Sequence, residues 1–358
     1  MKTFSERLAG LDRTLARITR RRSARSRGVL PAPQVFVRAP DWHYQFGDPG
    51  PFHAASAGKL MTATLIAQLV EHGDLGFESC LAELLPATII QRLSQAEGVD
   101  MASAITVEHL LTQTSGLPDY FETRRGHDTA ASIRGIARDR DHQWSPTELL
   151  DEAARLPSDG PPGVRYRYSD TNWVLLGLIA EQATGTAFAT LLRERIFGPC
   201  EMIRASTPYD PTLNTDLAAL EIAPFWLGRH ELSRAASVSL DWAGGNIVTT
   251  PLEWAQFLRC LADGTLVSPT TLDHLTRTRN RFRPGIHYGA GTMTIRFDQM
   301  LPLFARGLPH PIGHVGVWAT HAFWYPHLDA QVVLNFHSDR AMQSSFLVHL
   351  QIARLLAS

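Results

Sequence analysis

Ser56 and Lys59 are the first residues whose types and spacing suggest catalysis. A serine hydroxyl is a poor nucleophile near neutral pH unless a neighbouring base takes its proton. Residues three apart at the start of a helix share one face, about 4.5 Å apart along the axis, so the lysine amine can reach the serine oxygen. The helix N-terminus also supplies N–H donors for a developing oxyanion. The pair is a candidate acyl-transfer nucleophile, although Ser-x-x-Lys alone is far more often a capped helix start with a solvated lysine.

Two further segments have residues that suit the same chemistry. Tyr168, Ser169 and Asp170 precede an apolar helical pattern. A lysine cation beside a tyrosine favours the phenolate, so such a tyrosine can move a proton between the serine and a leaving group. Residues 313–318 form a strand pattern with two glycines, which allow a ligand backbone to approach closely. Each segment alone is also typical of ordinary packing, so their combination matters more than any one of them.

In combination, the three segments resemble the motifs of the serine beta-lactamase-like family, which includes class C beta-lactamases, D-alanyl-D-alanine carboxypeptidases and related esterases. Ser56 and Lys59 match its Ser-x-x-Lys motif. Tyr168 matches the start of Tyr-x-Asn, with Asp170 in the third place, and His314-Val315-Gly316 matches the third motif. The flanking segments that also resemble the family are residues 105–117, 168–179 and 243–250. The resemblance covers roughly residues 30–356.

The resemblance implies a role for each matched residue. Ser56 would be acylated, and Lys59 and Tyr168 would carry out the proton transfers. The backbone N–H groups of Ser56 and Val317 would form the oxyanion hole. The residues expected to contact substrate are Asp170, His314, Val315, Gly316 and Trp318. The resemblance implies no metal and no organic cofactor, and the fifteen histidines do not form a His-Glu-x-x-His motif.

Two positions differ from the members of the family that process lactams. Val315 replaces a hydroxyl residue, so an anionic substrate loses a charge-assisted contact of about 1.5–3 kcal/mol. Asp170 replaces an asparagine, and an ionised aspartate accepts hydrogen bonds but cannot donate to a substrate carbonyl. Its charge also favours protonated Lys59, which shifts the role of base towards Tyr168. We therefore expect a serine hydrolase that acts on a neutral ester or small amide.

Other functions remain open at the level of sequence. An acyltransferase forms the same acyl-enzyme and passes the acyl group to an amine or alcohol. A beta-lactamase or D,D-peptidase, or a non-catalytic binding or sensor protein, would have the same fold. Residues 54–58, Ala-Ala-Ser-Ala-Gly, approach the Gly-x-Ser-x-Gly elbow of α/β-hydrolases. That reading is weakened because the first glycine is absent and no alternating parallel strand–helix series follows.

The elements that must position these residues follow from hydrophobic periodicity. Strand patterns occur at Gln34–Arg38 and His43–Phe46 and again late in the chain, at residues 292–297, 314–320, 321–325 and 331–336. Helical patterns follow Ser56 as far as Gly73 and follow Asp170 as far as Gly185, and a last helix is expected at residues 345–356. This distribution predicts a sheet built from both chain ends with a helical region inserted between them.

The family resemblance makes this fold more specific. It implies an α+β protein with an antiparallel sheet flanked by helices, plus an inserted all-helical domain, and a site in the cleft between them. We expect the sheet domain to comprise residues 1–75 and 235–358, and the helical domain residues 76–234.

Composition narrows the classes of partner. The chain has 358 residues, of which 44% are hydrophobic and 19% charged, as in a globular protein with a large core. The net charge of −1 provides no field for nucleic acid. A basic cluster lacks the interleaved aromatics of nucleic-acid sites; its members are Arg20, Arg21, Arg22, Arg25 and Arg27. We expect a small-molecule ester or amide as substrate, neither nucleic acid nor membrane as partner, and, without a visible signal peptide, a cytoplasmic location.

Overall fold

The structure is a computed structural model that describes residues 3–25, 30–93 and 99–358, without the side chains of residues 23–25. Arg27 and the side chain of Arg25, two members of the basic cluster, lie outside the described residues. Most of the middle of the described chain is helical or irregular, and strands concentrate towards its two ends.

The described residues contain α-helices of very different length. In chain order they are α1 (Phe4–Arg25), α2 (Lys59–His72), α3 (Leu81–Leu84), α4 (Ala87–Ile90), α5 (Met101–Ala104), α6 (Val107–Leu111), α7 (Pro146–Ala154), α8 (Thr171–Thr184), α9 (Phe188–Leu192), α10 (Trp242–Gly245), α11 (Pro251–Ala262), α12 (Pro269–Thr276), α13 (Phe297–Met300) and α14 (Met342–Leu356). Short 3₁₀ segments occupy Ala55–Gly58, Ala236–Asp241 and Asp339–Ala341, and a π turn extends α9 over Arg193–Phe197.

The strands of the described residues form one large sheet and two small pairs. In chain order they are β1 (Gln34–Arg38), β2 (His43–Phe46), β3 (Phe52–His53), β4 (Trp226–Leu227), β5 (His230–Glu231), β6 (Val248–Thr249), β7 (Asn280–Arg283), β8 (Ile286–Tyr288), β9 (Met293–Ile295), β10 (Ile312–Gly316), β11 (Thr320–Tyr325) and β12 (Ala330–Asn335). The large sheet has eight strands in the order β2-β1-β12-β11-β10-β9-β8-β7.

This sheet confirms the predicted α+β fold with an antiparallel sheet formed from both chain ends. Strand β1 pairs antiparallel with β12, with Gln34 opposite Asn335 and Arg38 opposite Gln331. The remaining neighbours in the sheet are also antiparallel. The division into a sheet domain and an inserted helical domain stays a prediction.

Helices cover both faces of the sheet. Side chains alternate between the two faces along each strand, so neighbouring residues of one strand belong to different cores. Val35 and Val37 of β1 lie in the same core as Val348 of α14. Phe36, between them, lies in the second core, together with Trp254 of α11. The strands are therefore buried from both sides, and the second core continues from the sheet into the helical part of the chain.

Helix α2 begins directly after the 3₁₀ turn that contains Ser56 and ends at Gly73. Gly73 has a φ of 81°, a left-handed conformation that glycine adopts easily at helix ends. The predicted helix over this segment is confirmed, except that its first turn is 3₁₀. Strand β10 corrects a second expectation, because it ends at Gly316 and residues 317–319 form a turn rather than more strand.

No single helix within the described residues is long and apolar enough to span a bilayer. In the same part of the chain, one pair of helices, Thr171–Thr184 with Phe188–Phe197, has the required length and composition when taken together, and an 83° bend separates its two members.

Candidate active site

Ser56 lies in a strained turn rather than in regular helix. The preceding residue, Ala55, has a φ of 48°, a left-handed conformation that is unusual for a residue with a side chain. The Ala55 N–H donates to Nδ1 of His53 at 3.0 Å, which holds the turn in place. Ser56 itself is partly exposed, whereas Ala55 and Ala57 are buried. The turn therefore presents one hydroxyl at the surface of an otherwise buried segment.

Lys59 is fully buried and points back at this hydroxyl. Its Nζ lies 3.1 Å from Ser56 Oγ and donates to the Gly244 carbonyl at 2.7 Å. It also forms an ion pair with Oδ1 of Asp170 at 2.5 Å. A buried amine with a carboxylate at this distance is held in one position, and the pair offsets much of the desolvation of either charge alone.

Two glycines of α10 allow the backbone of this helix to lie close to Lys59 and to the turn of Ser56 without a steric clash. A Cβ on Gly245 would lie 2.2 Å from the Ala55 carbonyl oxygen. A Cβ on Gly244 would lie 3.2 Å from Lys59 Nζ and 3.0 Å from Oδ1 of Asp241. The space left by these glycines is where the backbone of α10, the nucleophile turn and the lysine meet, which gives a physical reason for the Gly-Gly pair in residues 243–250.

Tyr168 lies in the loop before α8 and shares a hydrogen bond with Ser56. Lys59 Nζ is 5.5 Å from the centroid of its ring. Burial raises the pKa of Tyr168 well above its usual value, the charge of Asp170 raises it further, and the hydrogen bond with Ser56 only partly opposes them. The expectation that Lys59 would make the phenolate more accessible is therefore wrong, because burial and Asp170 dominate.

Asp170 occupies the N-cap position of α8 without making a side-chain capping bond. Its carboxylate faces Lys59 instead, and its backbone N–H donates to Oδ1 of Asp119 at 3.2 Å. Burial, followed by the charge of Asp170, raises the pKa of Asp119. Burial raises the pKa of Asp241 to about 7, opposed by Lys59 and increased by Asp170. The site thus has several carboxyl groups around one lysine.

The residues of the third motif, His314-Val315-Gly316, do not all face the cleft. His314 is fully buried with Nδ1 at 2.7 Å from the Val315 carbonyl oxygen, and its ring centroid is 6.4 Å from that of Tyr168. Burial and Lys59 lower the pKa of His314 to about 3, so the ring is neutral near pH 7. Val315 and Gly316 line the cleft, whereas His314 does not. A Cβ on Gly316 would lie 2.4 Å from the Ala54 carbonyl oxygen, so this glycine lets β10 approach the nucleophile turn.

His53 connects the two turns that carry the expected oxyanion donors. Its Nδ1 accepts both the Ala55 N–H and, at 3.1 Å, the Trp318 indole N–H. Burial lowers the pKa of His53 to about 3, which keeps Nδ1 available as an acceptor. The N–H groups of Ser56 and Val317 donate no hydrogen bond within the described residues. Sequence reasoning missed His53; the only local signal was a histidine three residues before the candidate nucleophile.

Two cavities meet at Ser56. The residues that line both are Ser56, Phe121, Asp170 and Val317. The larger, here called the main cleft, has about 370 Å³ and is also lined by Tyr168, Phe282 and Phe346. The smaller, here called the side pocket, has about 20 Å³; its other lining residues are Ile136, Leu232, Val238, Leu240, Asp241 and Trp318. No cluster of three or more potential metal ligands occurs in the part of the chain that the structure describes.

The sequence profile described as Beta-lactamase matches residues 50–356. Penicillin-binding protein 4 of Amycolatopsis lactamdurans is 30% identical over 158 residues, 44% of this chain and 36% of that protein. Lovastatin esterase of Penicillium rubens is 25% identical over 246 residues, 62% of this chain and 58% of that protein. The matches thus span less than two thirds of the length of either relative. The structure of D-amino acid amidase from Ochrobactrum anthropi SV3 has a TM-score of 0.75 at 20% identity, covering 97% of this chain and 99% of that one.

Proposed function

Because this chain belongs to the beta-lactamase family, we propose that it is a serine hydrolase in which Ser56 is acylated by an ester or small amide without a carboxylate beside the scissile bond. One observation carries the proposal: the Lys59 amine lies 3.1 Å from a partly exposed Ser56 hydroxyl where an open cleft begins. A relative named as an esterase and a structural neighbour named as an amidase are compatible with this class of reaction.

The Lys59–Asp170 pair supplies the base in this proposal. A protonated lysine cannot accept the Ser56 proton, but Lys59 Nζ lies 2.5 Å from Oδ1 of Asp170, close enough to pass a proton to that carboxylate. When the shared proton lies on Asp170 instead, the lysine is a free amine at hydrogen-bonding distance from the serine. It then takes the hydroxyl proton as Ser56 Oγ forms its bond to the acyl carbon.

Tyr168 acts as the proton donor to the leaving group. Its raised pKa keeps the phenol protonated near neutral pH, so it serves as an acid rather than as a ready phenolate. As the bond from the acyl carbon to the leaving oxygen or nitrogen breaks, the phenol proton moves to that atom. The proton that Lys59 took from Ser56 then restores the phenol. In the second half of the cycle, water loses its proton by the same route and releases the acid.

The oxyanion forms between the two turns that His53 connects. The N–H groups of Ser56 and Val317 are without acceptors among the described residues, as expected of donors reserved for a ligand. Such donors act most strongly when they are fixed before the reaction, because no reorganisation is then needed as charge develops. His53 fixes the residues adjacent to both donors.

The charges around Ser56 explain the preference against anionic substrates. Beside Ser56, Asp170 and Asp241 line the cavities, His314 is neutral, and the Val315 side chain has no hydrogen-bond donor; the one cation that lines the main cleft within the described residues is Arg283. A substrate carboxylate would lose a charge-assisted contact and meet like charge. The lost contact and the repulsion, at about 1.5 kcal/mol each, together correspond to about a hundredfold in kcat/KM.

The decisive test is a comparison of kcat/KM for a short-chain nitrophenyl ester and a chromogenic cephalosporin. We expect the ester to be favoured by about a hundredfold, and the double change Val315→Thr with Asp170→Asn to narrow the ratio. A wild-type preference for the cephalosporin would make beta-lactamase the better assignment. A single stoichiometric burst without turnover would instead indicate a sensor protein.

Acyl transfer to an alcohol or amine is the second candidate. The main cleft is wide and partly apolar, with Phe282, Met342 and Phe346 among its lining residues, so an organic acceptor fits after the leaving group departs. Product analysis by mass spectrometry, with added short alcohols and amines, distinguishes the two outcomes. Hydrolysis predicts free acid as the main product at all acceptor concentrations, and transfer predicts the new ester or amide.

A further inference from the structure

The position of Tyr168 indicates which cavity holds the leaving group and which holds the acyl group. It lines the main cleft but not the side pocket. The group that donates a proton to the leaving atom must lie on the leaving-group side of the acyl carbon. If Tyr168 has that role, the leaving group occupies the main cleft. The acyl chain, on the other side of the carbonyl carbon, then extends into the side pocket.

The size of the side pocket limits the acyl chain. A cavity of about 20 Å³ holds one group of the size of a water molecule, a methyl or an ammonium. Its apolar walls are closely packed, since Leu232 is fully buried and Ile136 and Val238 are at most 3% exposed. A chain that extends much beyond two atoms past the carbonyl carbon would have to displace these side chains.

Two carboxyl groups line the side pocket, those of Asp170 and Asp241, and one of them has no hydrogen-bond or ion-pair partner among the described residues. Asp241 lines it, and this carboxyl makes no capping bond and no other hydrogen bond or ion pair within the described residues. Its charge partner in the interior, Lys59, is already paired with Asp170. An unpaired carboxyl among apolar side chains is unfavourable unless a donor or a cation reaches it.

We propose that the side pocket selects a small acyl group with an ammonium two atoms from the carbonyl carbon, as in a glycyl group, and that Asp241 binds this ammonium. The inference rests on the proposed acylation of Ser56 and on the donor role of Tyr168. It adds the size and charge of the acyl group, which the proposed reaction leaves open. The substrate class is therefore an ester or amide of a small amino acid, with the leaving group free to be large.

A pair of substrates of equal size tests the charge. Glycyl and propionyl 4-nitroanilides differ in an ammonium against a methyl at the same position, and the leaving group is identical. At pH 7 we expect kcat/KM to be about 10- to 100-fold higher for glycyl, the effect of one charge-assisted hydrogen bond. Asp241→Asn should bring the two values to within about threefold of each other, because the amide keeps the shape and loses the charge. Asp74→Asn is the matched control, since Asp74 is exposed and its side chain has no hydrogen-bond or ion-pair partner among the described residues.

A series of acyl lengths tests the size. From acetyl to hexanoyl 4-nitrophenyl esters, kcat/KM should fall by at least tenfold beyond propionyl. Val238→Ala removes two methyl groups from the pocket wall and should move the decline to longer chains. A wild-type profile that is flat to hexanoyl, or one that Val238→Ala leaves unchanged, would place the acyl chain elsewhere.

The two levels of the proposal fail in different ways. Equal rates for glycyl and propionyl in the wild type, with normal turnover of both, would overturn the ammonium site and leave the hydrolase intact. An absence of turnover on every ester and anilide, together with no labelling of Ser56 by a fluorophosphonate, would overturn the proposed function itself.

Discussion

Two serine–base clusters lie on opposite sides of the large sheet within the described residues, and only the cluster of Ser56 borders a cleft. On the α14 side, Ser345 Oγ lies 2.8 Å from Nε2 of His321. The Nδ1 atoms of His321 and His349 are 3.1 Å apart, and Tyr325 completes the network at 3.1 Å from His349. Judged only by its hydrogen bonds, this network of a serine, a histidine base and a second histidine that orients it resembles a catalytic triad more closely than Ser56 and Lys59 do.

Access and backbone geometry distinguish the two clusters. Ser345, His321 and His349 are fully buried and none of them lines the main cleft or the side pocket. Ser345 lies in regular helix and its hydroxyl donates to the Met342 carbonyl. Ser56 lies at a strained turn beside both cavities. A serine with a neighbouring base is therefore insufficient evidence for a nucleophile; a reachable carbonyl position and free N–H donors are also needed.

The clusters also differ in charge. Burial lowers the pKa of His321 well below its usual value and that of His349 to about 3, so the network is neutral and satisfied internally. Around Ser56 the structure places the Lys59–Asp170 ion pair and the carboxyl group of Asp241, which has no hydrogen-bond or ion-pair partner among the described residues. A neutral, closed network stabilises the fold, whereas charged groups that line a cleft are typical of a ligand site.

The largest expected effect is loss of activity on removing the base from the Ser56 cluster. Lys59→Ala should lower the acylation rate by about 10²–10⁴-fold, the usual contribution of a positioned base. Ser345→Ala, the matched change in the other cluster, should leave kcat/KM of the folded protein within about threefold. Stopped-flow acylation with a nitrophenyl ester measures both. An unimpaired Lys59→Ala enzyme would favour a different nucleophile arrangement.

The next effect depends on the leaving group. Tyr168→Phe deletes one oxygen, so it should lower kcat/KM for a 4-nitroanilide by about 10²-fold or more. The decrease should be smaller for a nitrophenyl ester, because nitrophenolate departs without a proton. Tyr166→Phe is the control, since the Tyr166 hydroxyl has no partner among the described residues. Equal losses on both substrates would show that Tyr168 is not the proton donor.

For folding stability, we expect the opposite ranking of the two serines: Ser345→Ala should cost more than Ser56→Ala. Ser345→Ala leaves a buried histidine nitrogen without its partner, which destabilises the fold by about 1–3 kcal/mol. Ser56→Ala removes a partly exposed hydroxyl and should change the free energy of unfolding by at most about 0.5 kcal/mol. Urea unfolding monitored by circular dichroism gives both values. A larger loss at Ser56 would mean that the Ser56 turn, too, is primarily structural.

The last comparison concerns the pH dependence of stability. Burial lowers the pKa of five histidines, namely His53, His314, His321, His337 and His349. The unfolded chain therefore binds more protons below about pH 6.5, and stability decreases as the pH falls from there towards 4. Asp119, Glu122 and Asp241 have raised pKa values and oppose this, since they favour the fold as the pH falls. The five histidines should dominate, so the unfolding midpoint should be lower at pH 4.5 than at pH 6.5. A midpoint that rises on acidification would contradict the neutral state assigned to the histidine network.

Sequence patterns recovered the elements with strong local signals. Gln34–Arg38 and His43–Phe46 are strands with the predicted bounds, and the helices that start near Ser56 and Asp170 end at the predicted glycines. Strands β7 and β8 were missed, because Asn280–Arg283 is mostly polar and Ile286–Tyr288 is very short. Helix α11 was also missed, although Thr250 as N-cap and Pro251 at the first helical position marked its start.

From the sequence, only those site residues that belong to a family motif could be predicted. Ser56, Lys59 and Tyr168 were found because their spacing matches a family pattern, and the structure brings all three together. His53 and Asp241 carry no such pattern. Their importance depends on contacts between segments far apart in the chain, such as Trp318 with His53, and periodicity contains no information about those contacts. The turn at residues 317–319 was predicted as strand. Ala319 has a left-handed conformation there, and an alanine gives no sequence signal for that conformation.

The central claim is that Ser56, and not the serine of the histidine network, is the nucleophile. A fluorophosphonate probe followed by peptide mass spectrometry tests it directly on the full chain. We predict one label per molecule, on the peptide that contains Ser56, and no label on Ser56→Ala. Labelling of Ser345, Ser115 or Ser169 in place of Ser56, or persistence of the label in Ser56→Ala, would contradict the account.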